Sequence, residues 1–525
     1  MYLAIQTLVK RSEYYDSVTL MLVAKEISHM TAVDDAAVVM GTEANKGLLK
    51  DAGLLTPEAE AASPNDLVIA VKGAQDALGK ILVEAEKLLH KKQTEPATSE
   101  FRPKTLGGAI KANTGANLAV ISVAGRYAAA EAWEALSHGL HVLLFSDNVS
   151  LEDEIALKHY AVEHGLLLMG PGAGTAILNG VALGFANVVP KGSVGIVAAA
   201  GTGLQEVSSL LAKYGVGLSQ GIGTGGRDLK EEVGGLMMLA GLRALQDDPD
   251  TKVIVLVSKP PSAAVASKML EQTGLSEKPT VVCFLGAHSL TPAAPLPQPW
   301  ERGDGVGGWG VRTAWTLEEA AVLGAQAAGI PRPPDSSDTA EGKVKPRFAP
   351  SQRYLRGLFS GGTLCYEAQV IWRDRLAEAV LSNAPLKSAN QLPDSLHSQG
   401  HTAVDLGEEE FTVGRPHPMI DNDLRIRRLM QEAQDPEVAV IMLDVVLGYG
   451  AHPDPASELA PAVQKARQVR RTAGGELLVV ASVTGTEGDP QGLSRQVSLL
   501  EQAGAIVCES NAAAARLVAK VINEL

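Results

Sequence analysis

The chain has 525 residues, 46% of them hydrophobic but only 4% aromatic, with 53 glycines and a formal net charge of −14. This length predicts three or four domains, the composition is typical of packed α/β layers, and the charge argues against nucleic acid or an anionic membrane as the main partner. No apolar run approaches the roughly 20 residues of a membrane span, no signal-peptide core is evident, and Cys283, Cys365 and Cys508 form no close pair, so we expect a cytoplasmic protein.

Residues 1–95 predict a small N-terminal α/β domain. Its predicted strands and helices, in chain order, are Ile5–Val9, Ser17–Met30 (helix), Ala36–Met40, a short helix near Leu48, Leu67–Val71, and Ala74–Leu89 (helix). The polar segment 91–103 contains two prolines and is the first predicted linker.

Residues 105–188 predict a second domain in which strands and helices alternate. The predicted elements are strand 118–123, helix 127–138, strand 142–145, helix 151–164 and strand 166–169. Such alternation specifies a parallel sheet that binds ligands at the carboxyl ends of its strands. A glycine-rich loop, 170–175, follows the last strand.

The rest of the chain is predicted to contain a structural repeat. Its two copies are 190–335 and 352–525, and a proline-rich linker separates them. Gly195–Glu206 and Gly357–Glu367 each comprise an apolar strand, a small-residue turn ending in Gly-Thr, and a Glu four residues later. Each unit later has Asp-Pro before another strand, and the second carries an insertion of roughly 26 residues before that point. A helix near 317–329, after a Pro/Gly-rich tract at 291–309, completes the first unit.

Both turns are predicted to bind an anion. A strand, a small turn and a helix leave bare backbone N–H groups at the helix N-terminus, and threonine can add a hydroxyl. Two such units facing each other would direct two helix N-termini at one phosphate. The alternative is a plain N-cap with tight packing. The predicted phosphate- and substrate-binding residues are Gly201, Thr202, Gly203, Ser360, Gly361, Gly362 and Thr363.

Four further residues are candidate catalytic groups. Arg227 and Arg415 lie in loops of the two repeats, where a guanidinium could bind a carboxylate or phosphate; the alternative is a surface ion pair. His417 and His452 precede prolines in loops and could act as acid–base groups, or they could be structural. Asp405, Asp421 and Asp444 show no metal-ligand spacing, so no metal is predicted. Glu206 and Glu367 are interpreted as complements of their own helix dipoles.

Three motifs carry a family resemblance: Gly361–Glu367, Asp444–Gly450 and Tyr14–Val18. On them the chain resembles the FdrA proteins of the succinyl-CoA synthetase superfamily, with the superfamily likeness covering about 115–525. The resemblance implies an α/β protein with a Rossmann-like CoA-binding-type domain and two flavodoxin-like ligase domains. The ligase domain at 190–335 resembles that of the α subunit, and the one at 352–525 resembles that of the β subunit.

The departures from the family bear on the function. The phosphorylated histidine of the family would fall in 303–310, which contains no histidine, and its supporting Glu would fall near Ser258–Pro260. The ATP-grasp domain has no counterpart, and residues 1–90 replace the first half of the CoA-binding domain. The resemblance suggests CoA as a ligand, although the residues themselves specify no cofactor.

The resemblance to FdrA implies an enzyme subunit in allantoin and purine breakdown, an oxamate carbamoyltransferase that converts oxalurate and phosphate to oxamate and carbamoyl phosphate. Arg227 or Arg415 would bind the oxamate carboxylate, while companion subunits and a homo-oligomer are expected. One alternative is an acyl-CoA synthetase that takes its ATP-grasp and phosphohistidine functions from partner chains. Another is a non-catalytic scaffold or regulatory subunit.

Overall fold

The computed structural model describes residues 3–13, 15, 17–28, 30–91, 103–286, 310–330, 348–412 and 416–525. The chain divides into two compact units. The first comprises Met1–Arg102 and Glu408–His417, and the second comprises Pro103–Gly407 and Pro418–Leu525.

The first unit contains a three-stranded antiparallel sheet of order β1-β3-β2. Its elements are β1 (Leu3–Lys10), α1 (Ser17–Ser28), β2 (Val33–Met40), α2 (Glu43–Asp51), α3 (Pro57–Glu60), β3 (Leu67–Ala74) and α4 (Leu78–Lys91). The predicted strands and helices of this region are all present. The last helix begins at Leu78 and not at Ala74, because Ala74 is still paired with Leu3 in the β ladder.

The second unit opens with a three-stranded parallel sheet of order β4-β5-β6, as the alternating pattern predicts. Its elements are α5 (Leu106–Ala112), β4 (Leu118–Ile121), α6 (Gly125–Ser137), β5 (His141–Leu144), α7 (Leu151–Glu163) and β6 (Leu168–Met169). The carboxyl end of β6 leads into the glycine-rich loop.

A seven-stranded sheet follows, in the order β13-β12-β11-β9-β10-β7-β8. Its elements are β7 (Thr175–Leu178), β8 (Val181–Gly184), β9 (Lys191–Ala198), α8 (Gly201–Lys213), β10 (Leu218–Gly223), α9 (Leu236–Asp247), β11 (Val253–Ser258), α10 (Ala263–Thr273), β12 (Thr280–Phe284), β13 (Val311–Thr313) and α11 (Leu317–Ala327). Strands β9 to β13 are parallel, and the hairpin β7–β8 is added antiparallel at the edge. This hairpin was not predicted: a loop was expected after the last strand of the second domain, and that part of the prediction is wrong.

The last sheet has six parallel strands in the order β15-β16-β14-β17-β18-β19. Its elements, with α13 of the first unit in its chain position, are β14 (Tyr354–Phe359), α12 (Gly362–Arg375), β15 (Val380–Ser382), β16 (His401–Asp405), α13 (Glu409–Thr412), α14 (Asp423–Gln434), β17 (Val438–Val446), α15 (Pro455–Thr472), β18 (Leu478–Thr484), α16 (Leu493–Gln502), β19 (Ile506–Cys508) and α17 (Asn511–Asn523). A short 3-10 helix, Ser388–Asn390, follows β15.

The two repeats share one topology. The parallel strands run in the order β10-β9-β11-β12-β13 in the first repeat and β16-β14-β17-β18-β19 in the second. This is the doubly wound arrangement of flavodoxin-like sheets, and the predicted duplication is confirmed. Strand β15 and the 3-10 helix belong to the predicted insertion. In the described part of the chain, no helix is both long and apolar enough to cross a membrane.

Candidate functional site

Helices α8 and α12 begin without a side-chain cap. The N-cap residues are Ala200 and Gly361, and neither makes a side-chain hydrogen bond to its helix. Thr202 and Thr363 are the second residues of their helices and are not the N-cap residues. In the same unit α7, α10, α11 and α17 are capped by Ser150, Ser262, Thr316 and Ser510, whereas α6, α9, α14, α15 and α16 also begin without a side-chain cap. The first-turn N–H groups of α8 and α12, which have no acceptor within their helices, receive no such cap.

The N-termini of α8 and α12 meet. A Cβ atom added to Gly361 would lie 2.9 Å from Cγ2 and 3.0 Å from Oγ1 of Thr202. In the mirrored contact, a Cβ atom on Gly203 would lie 3.1 Å from Cγ2 of Thr363. Glycine therefore permits this close approach. The structure thus brings together the Gly-Thr residues that the two repeats contribute, at the carboxyl ends of β9 and β14.

Ser360 and Gly361 are held by the buried carboxylate of Asp444. That carboxylate accepts hydrogen bonds from the backbone N–H groups of Ser360 and Gly361, both at 2.7 Å, and from the Ser360 hydroxyl at 3.1 Å. Arg425 compensates its charge, with Nη2 3.1 Å from Asp444 Oδ1, and both side chains are buried. Burial lowers the pKa of Arg425, and Asp444 opposes that shift. Asp444 thus anchors the start of α12, leaving Gly362 and Thr363 as its first helical residues.

Glu206 and Glu367 each cap a helix of the other repeat. Glu206, on α8, accepts a hydrogen bond from the N–H of Asn511 at 2.9 Å and another from the Thr484 hydroxyl. Glu367, on α12, accepts from the N–H of Leu317 at 2.7 Å and from Nδ2 of Asn511 at 2.8 Å. Leu317 and Asn511 are the first residues of α11 and α17, which occupy equivalent positions in the two repeats.

The prediction that these glutamates complement their own helix dipoles is wrong, because neither α8 nor α12 has an acidic residue in its first turn. Both side chains are buried. Burial raises the pKa of Glu206, and it raises the pKa of Glu367 to about 8. The pair instead cross-links the two helices whose N-termini meet.

Arg227 contacts Glu154 and Val149 within its own unit. Its Nε lies 2.8 Å from Oε2 of the buried Glu154, and its Nη2 donates to the carbonyl of Val149 at 2.8 Å. Glu154 also pairs with the buried Lys158 at 2.8 Å, and Lys158 pairs with Asp228 at 2.8 Å. These contacts use Nε and Nη2 of Arg227, and its role in binding a substrate carboxylate stays a prediction.

The other catalytic candidates are His452, His417 and Arg415. His452 accepts a hydrogen bond from the Asp454 N–H at Nδ1, at 3.0 Å, and its Nε2 lies 3.2 Å from Glu458 Oε1. A backbone donor at Nδ1 fixes the imidazole proton on Nε2, so His452 orders the loop after β17. His417 is half-buried and belongs to the first unit, and Arg415 lies outside the described residues. Acid–base or substrate-binding roles for these residues stay predictions.

A cleft opens beside the helix junction at the carboxyl ends of β9, β10 and β11. Its volume is about 420 Å³. Lys259, directly after β11, lines this cleft, and its Nζ lies 3.7 Å from the point where a Cβ on Gly362 would stand. Oδ2 of Asp405 lies 2.5 Å from the same point. Lys259 is not among the residues predicted from the sequence; its position directly after a parallel strand is the signal that could have found it.

Two family models match the chain. Residues 358–521 match CoA-ligase, and residues 2–103 match the AllF heavy metal-associated domain. The residues present do not fit a heavy metal: 2–103 contain no cysteine, and no group of three or more His, Cys, Asp or Glu in the described ranges could hold an ion.

Individual proteins match over different lengths. YahF of Escherichia coli (strain K12), described as uncharacterized, is 44% identical over 514 residues, which are 97% of each chain. The alpha subunit of succinate–CoA ligase [ADP-forming] from Methanothermobacter thermautotrophicus is 29% identical over 27% of this chain and 48% of that subunit. The solved structure of a dinucleotide-forming acetyl-coenzyme A synthetase 1 from Ca. Korarchaeum cryptofilum aligns with 82% of this chain and with 88% of the synthetase chain. The two are 14% identical, and the TM-score is 0.33.

The match to YahF extends over nearly the whole chain, and the CoA-ligase model falls on the second of two repeats that share one topology. The chain therefore belongs to the FdrA-like family, which includes YahF, and carries the acyl-CoA-ligase-type fold of the succinyl-CoA synthetase superfamily.

Proposed function

We propose that this protein is the phosphate-binding subunit of a carbamoyltransferase that interconverts oxalurate and phosphate with oxamate and carbamoyl phosphate, together with companion subunits. The AllF domain model at 2–103 favours this place in allantoin breakdown. Acid–thiol ligase ancestry explains the fold, and the proposed activity uses only the part of the ligase site that this chain retains.

The observation that carries the proposal is the junction of two uncapped helix N-termini. Gly201, Thr202, Gly362 and Thr363 supply N–H groups and hydroxyls within one small region. Such preorganised donors stabilise a phosphate and the charge that develops on it during acyl transfer. A full ligase cycle would further need a phosphohistidine, and the segment 303–310 contains no histidine.

The proposed chemistry requires neither ATP nor a covalent enzyme intermediate. A phosphate oxygen attacks the terminal carbamoyl carbon of oxalurate, forming a C–O bond. The bond from that carbon to the nitrogen bearing the oxalyl group breaks, and this nitrogen takes up a proton to give oxamate. In the reverse direction the helix N-termini stabilise the departing phosphate.

The test is phosphate release from carbamoyl phosphate in the presence of oxamate, measured for the protein alone and with its companion subunits. The Thr202→Val, Thr363→Val double variant is expected to lower kcat/KM by about a hundredfold, since each lost donor weakens transition-state stabilisation. Thr472→Val, a helix-surface change on α15, serves as the matched control and should leave the rate unchanged. No phosphate release in any combination would rule out the carbamoyltransferase.

The CoA-ligase match supports a second candidate, an acyl-CoA synthetase that takes ATP-grasp and histidine functions from partner chains. It predicts acyl-CoA formation when ATP, CoA and a carboxylic acid are supplied with those chains. Product analysis of the same mixtures by mass spectrometry distinguishes the two, because carbamoyl phosphate and an acyl-CoA thioester differ in mass and in their need for ATP.

A further inference from the structure

The cleft beside the helix junction has room for a small ligand. Its volume of about 420 Å³ falls in the range of metabolite sites. Ala199, Leu229, Pro260 and Pro261 supply apolar lining, and Ser258 and Lys259 supply polar groups. Apolar walls strengthen the attraction between a lysine and a bound anion, because they exclude water from one side of the pair.

Lys259 is the charged group of the cleft that also reaches the helix junction. Its side chain is half-buried, and its Nζ lies 5.7 Å from the centroid of the Tyr366 ring. The N-terminus of α12 adds positive potential beside it. Asp405, the nearest acid at the junction, accepts a hydrogen bond from the Gly407 N–H at 3.0 Å and has further interactions of its own.

The remaining charges of the cleft are at its exposed rim. Lys230, Glu231 and Glu232 all line it and are all exposed. Their charges are screened by solvent and salt more strongly than that of Lys259. Arg227, one of the two arginines predicted to bind a substrate carboxylate, contacts Glu154 and the Val149 carbonyl.

We propose that the cleft binds the carboxylate of a small organic acid, with Lys259 as the residue that binds it and holds it next to the phosphate at the helix junction. This inference rests on the proposed function and names the site of its second substrate. A phosphate and a carboxylate held side by side repel each other, and an ammonium group between them offsets that repulsion.

The experiment compares three probes, oxamate, its neutral analogue oxamide, and inorganic phosphate, by calorimetric titration of the full-length protein. Lys259→Gln is expected to weaken oxamate binding by about tenfold or more, as for a lost charged hydrogen bond, and to abolish the preference for oxamate over oxamide. Lys259→Arg should restore part of that preference. Lys268→Gln, an exposed change on α10 with the same loss of charge, is the matched control and should leave all three affinities unchanged.

Several outcomes would overturn the proposal: a wild-type protein that does not prefer oxamate to oxamide, an unchanged preference in Lys259→Gln, or equal weakening in Lys268→Gln. Weakened phosphate binding alone would also overturn it, by placing Lys259 in the phosphate site. Turnover with an unchanged KM for oxamate in Lys259→Gln leaves the proposed function standing without this inference. Oxamate binding that depends on Lys259, without any carbamoyl transfer, would leave this inference standing and overturn the proposed function.

Discussion

At the scale of single residues, the candidate site depends on two glycines, whose lack of a side chain lets the two helices approach each other. Gly361 lies against Thr202, and Gly203 lies against Thr363, so a methyl group at either glycine would occupy space that the facing threonine fills. Neither glycine is needed for a positive φ; Gly361, for example, has φ −108°. Close approach of the two helix N-termini therefore explains glycine at 361, and at 203 it acts together with the contact to Val257 Cγ1 at 3.0 Å.

Gly361→Ala is expected to weaken phosphate binding by about tenfold and to lower the free energy of unfolding by about 1–2 kcal/mol. The added Cβ would stand 2.9 Å from Thr202 Cγ2, so the two N-termini must move apart by some tenths of an ångström. Phosphate titration and urea unfolding measure the two effects. Gly115→Ala, whose Cβ would meet its nearest atom at 3.9 Å, is the control. Unchanged phosphate affinity in Gly361→Ala would show that the junction is not the phosphate site.

The Gly-Thr residues could be predicted from the sequence because their chemistry is local: a small turn after an apolar strand and before a helix. The role of Asp444 could not, because it depends on a backbone N–H that lies 83 residues away. Glu206 and Asn511 are separated by 305 residues, and only the folded chain brings them together. Charged side chains whose partners are distant in sequence were accordingly misread or left unassigned.

At the scale of elements, α8 and α12 are coupled because each carries a glutamate that binds to the other repeat. Each begins at the helix junction, and each carries a glutamate that caps the helix that ends the other repeat. Asn511 serves both glutamates, with its backbone N–H bound to Glu206 and its side-chain amide bound to Glu367. A rotation of either helix would disturb caps in both repeats, which ties the geometry of the junction to the packing behind it.

The raised pKa of Glu367 makes this coupling dependent on pH. Its folded-state pKa of about 8 exceeds the ordinary value of 4.5 for a Glu. Between these values the folded protein holds a proton that the unfolded chain has released. Stability contributed by this group is therefore full below about pH 4.5 and is lost as the pH rises towards 8.

Replacing Glu367 by Gln should remove this pH dependence. Between pH 5 and 8 the wild type should lose stability relative to Glu367→Gln. The free energy of unfolding of the variant should therefore rise, relative to that of the wild type, by up to about 1.4 kcal/mol per pH unit. Urea unfolding at four pH values measures it. Glu501→Gln, an exposed change on α16, should follow the wild type at every pH. A constant difference for Glu367→Gln across the range would contradict the prediction.

Hydrophobic periodicity predicted the elements of the first two domains, whereas within the repeats it predicted only some of the strands and helices, and it missed the short hairpin β7–β8. The hairpin β7–β8 turns at Asn179-Gly180, both with positive φ, and this dipeptide is a hairpin signal. Its strands have only four residues each, too few for alternation to stand out. The addition of this hairpin to the sheet of the first repeat could not be predicted from local sequence, because a single pairing of Ile177 with Gly221 attaches it.

At the scale of the whole molecule, the two repeats share one hydrophobic core. A single buried cluster contains Leu204 of α8 and Leu364 of α12, together with residues from strands of both sheets. The first unit has separate clusters, one of which includes Leu67 on β3. The duplicated repeats should therefore unfold as one cooperative body, although each has a complete sheet of its own.

Leu204→Ala and Leu364→Ala test this cooperativity. Both leucines are fully buried, so each change should cost about 2–5 kcal/mol. Hydrogen exchange measured by mass spectrometry in mild urea should then show equal loss of protection in the β9 and β14 peptides, whichever repeat carries the change. Leu67→Ala, equally buried in the first unit, should lower protection in β1 and β3 and leave β9 and β14 unchanged. If protection is lost only in the repeat that carries the substitution, the repeats fold independently. The contacts of Glu206 and Glu367 would then join two bodies that are each stable alone.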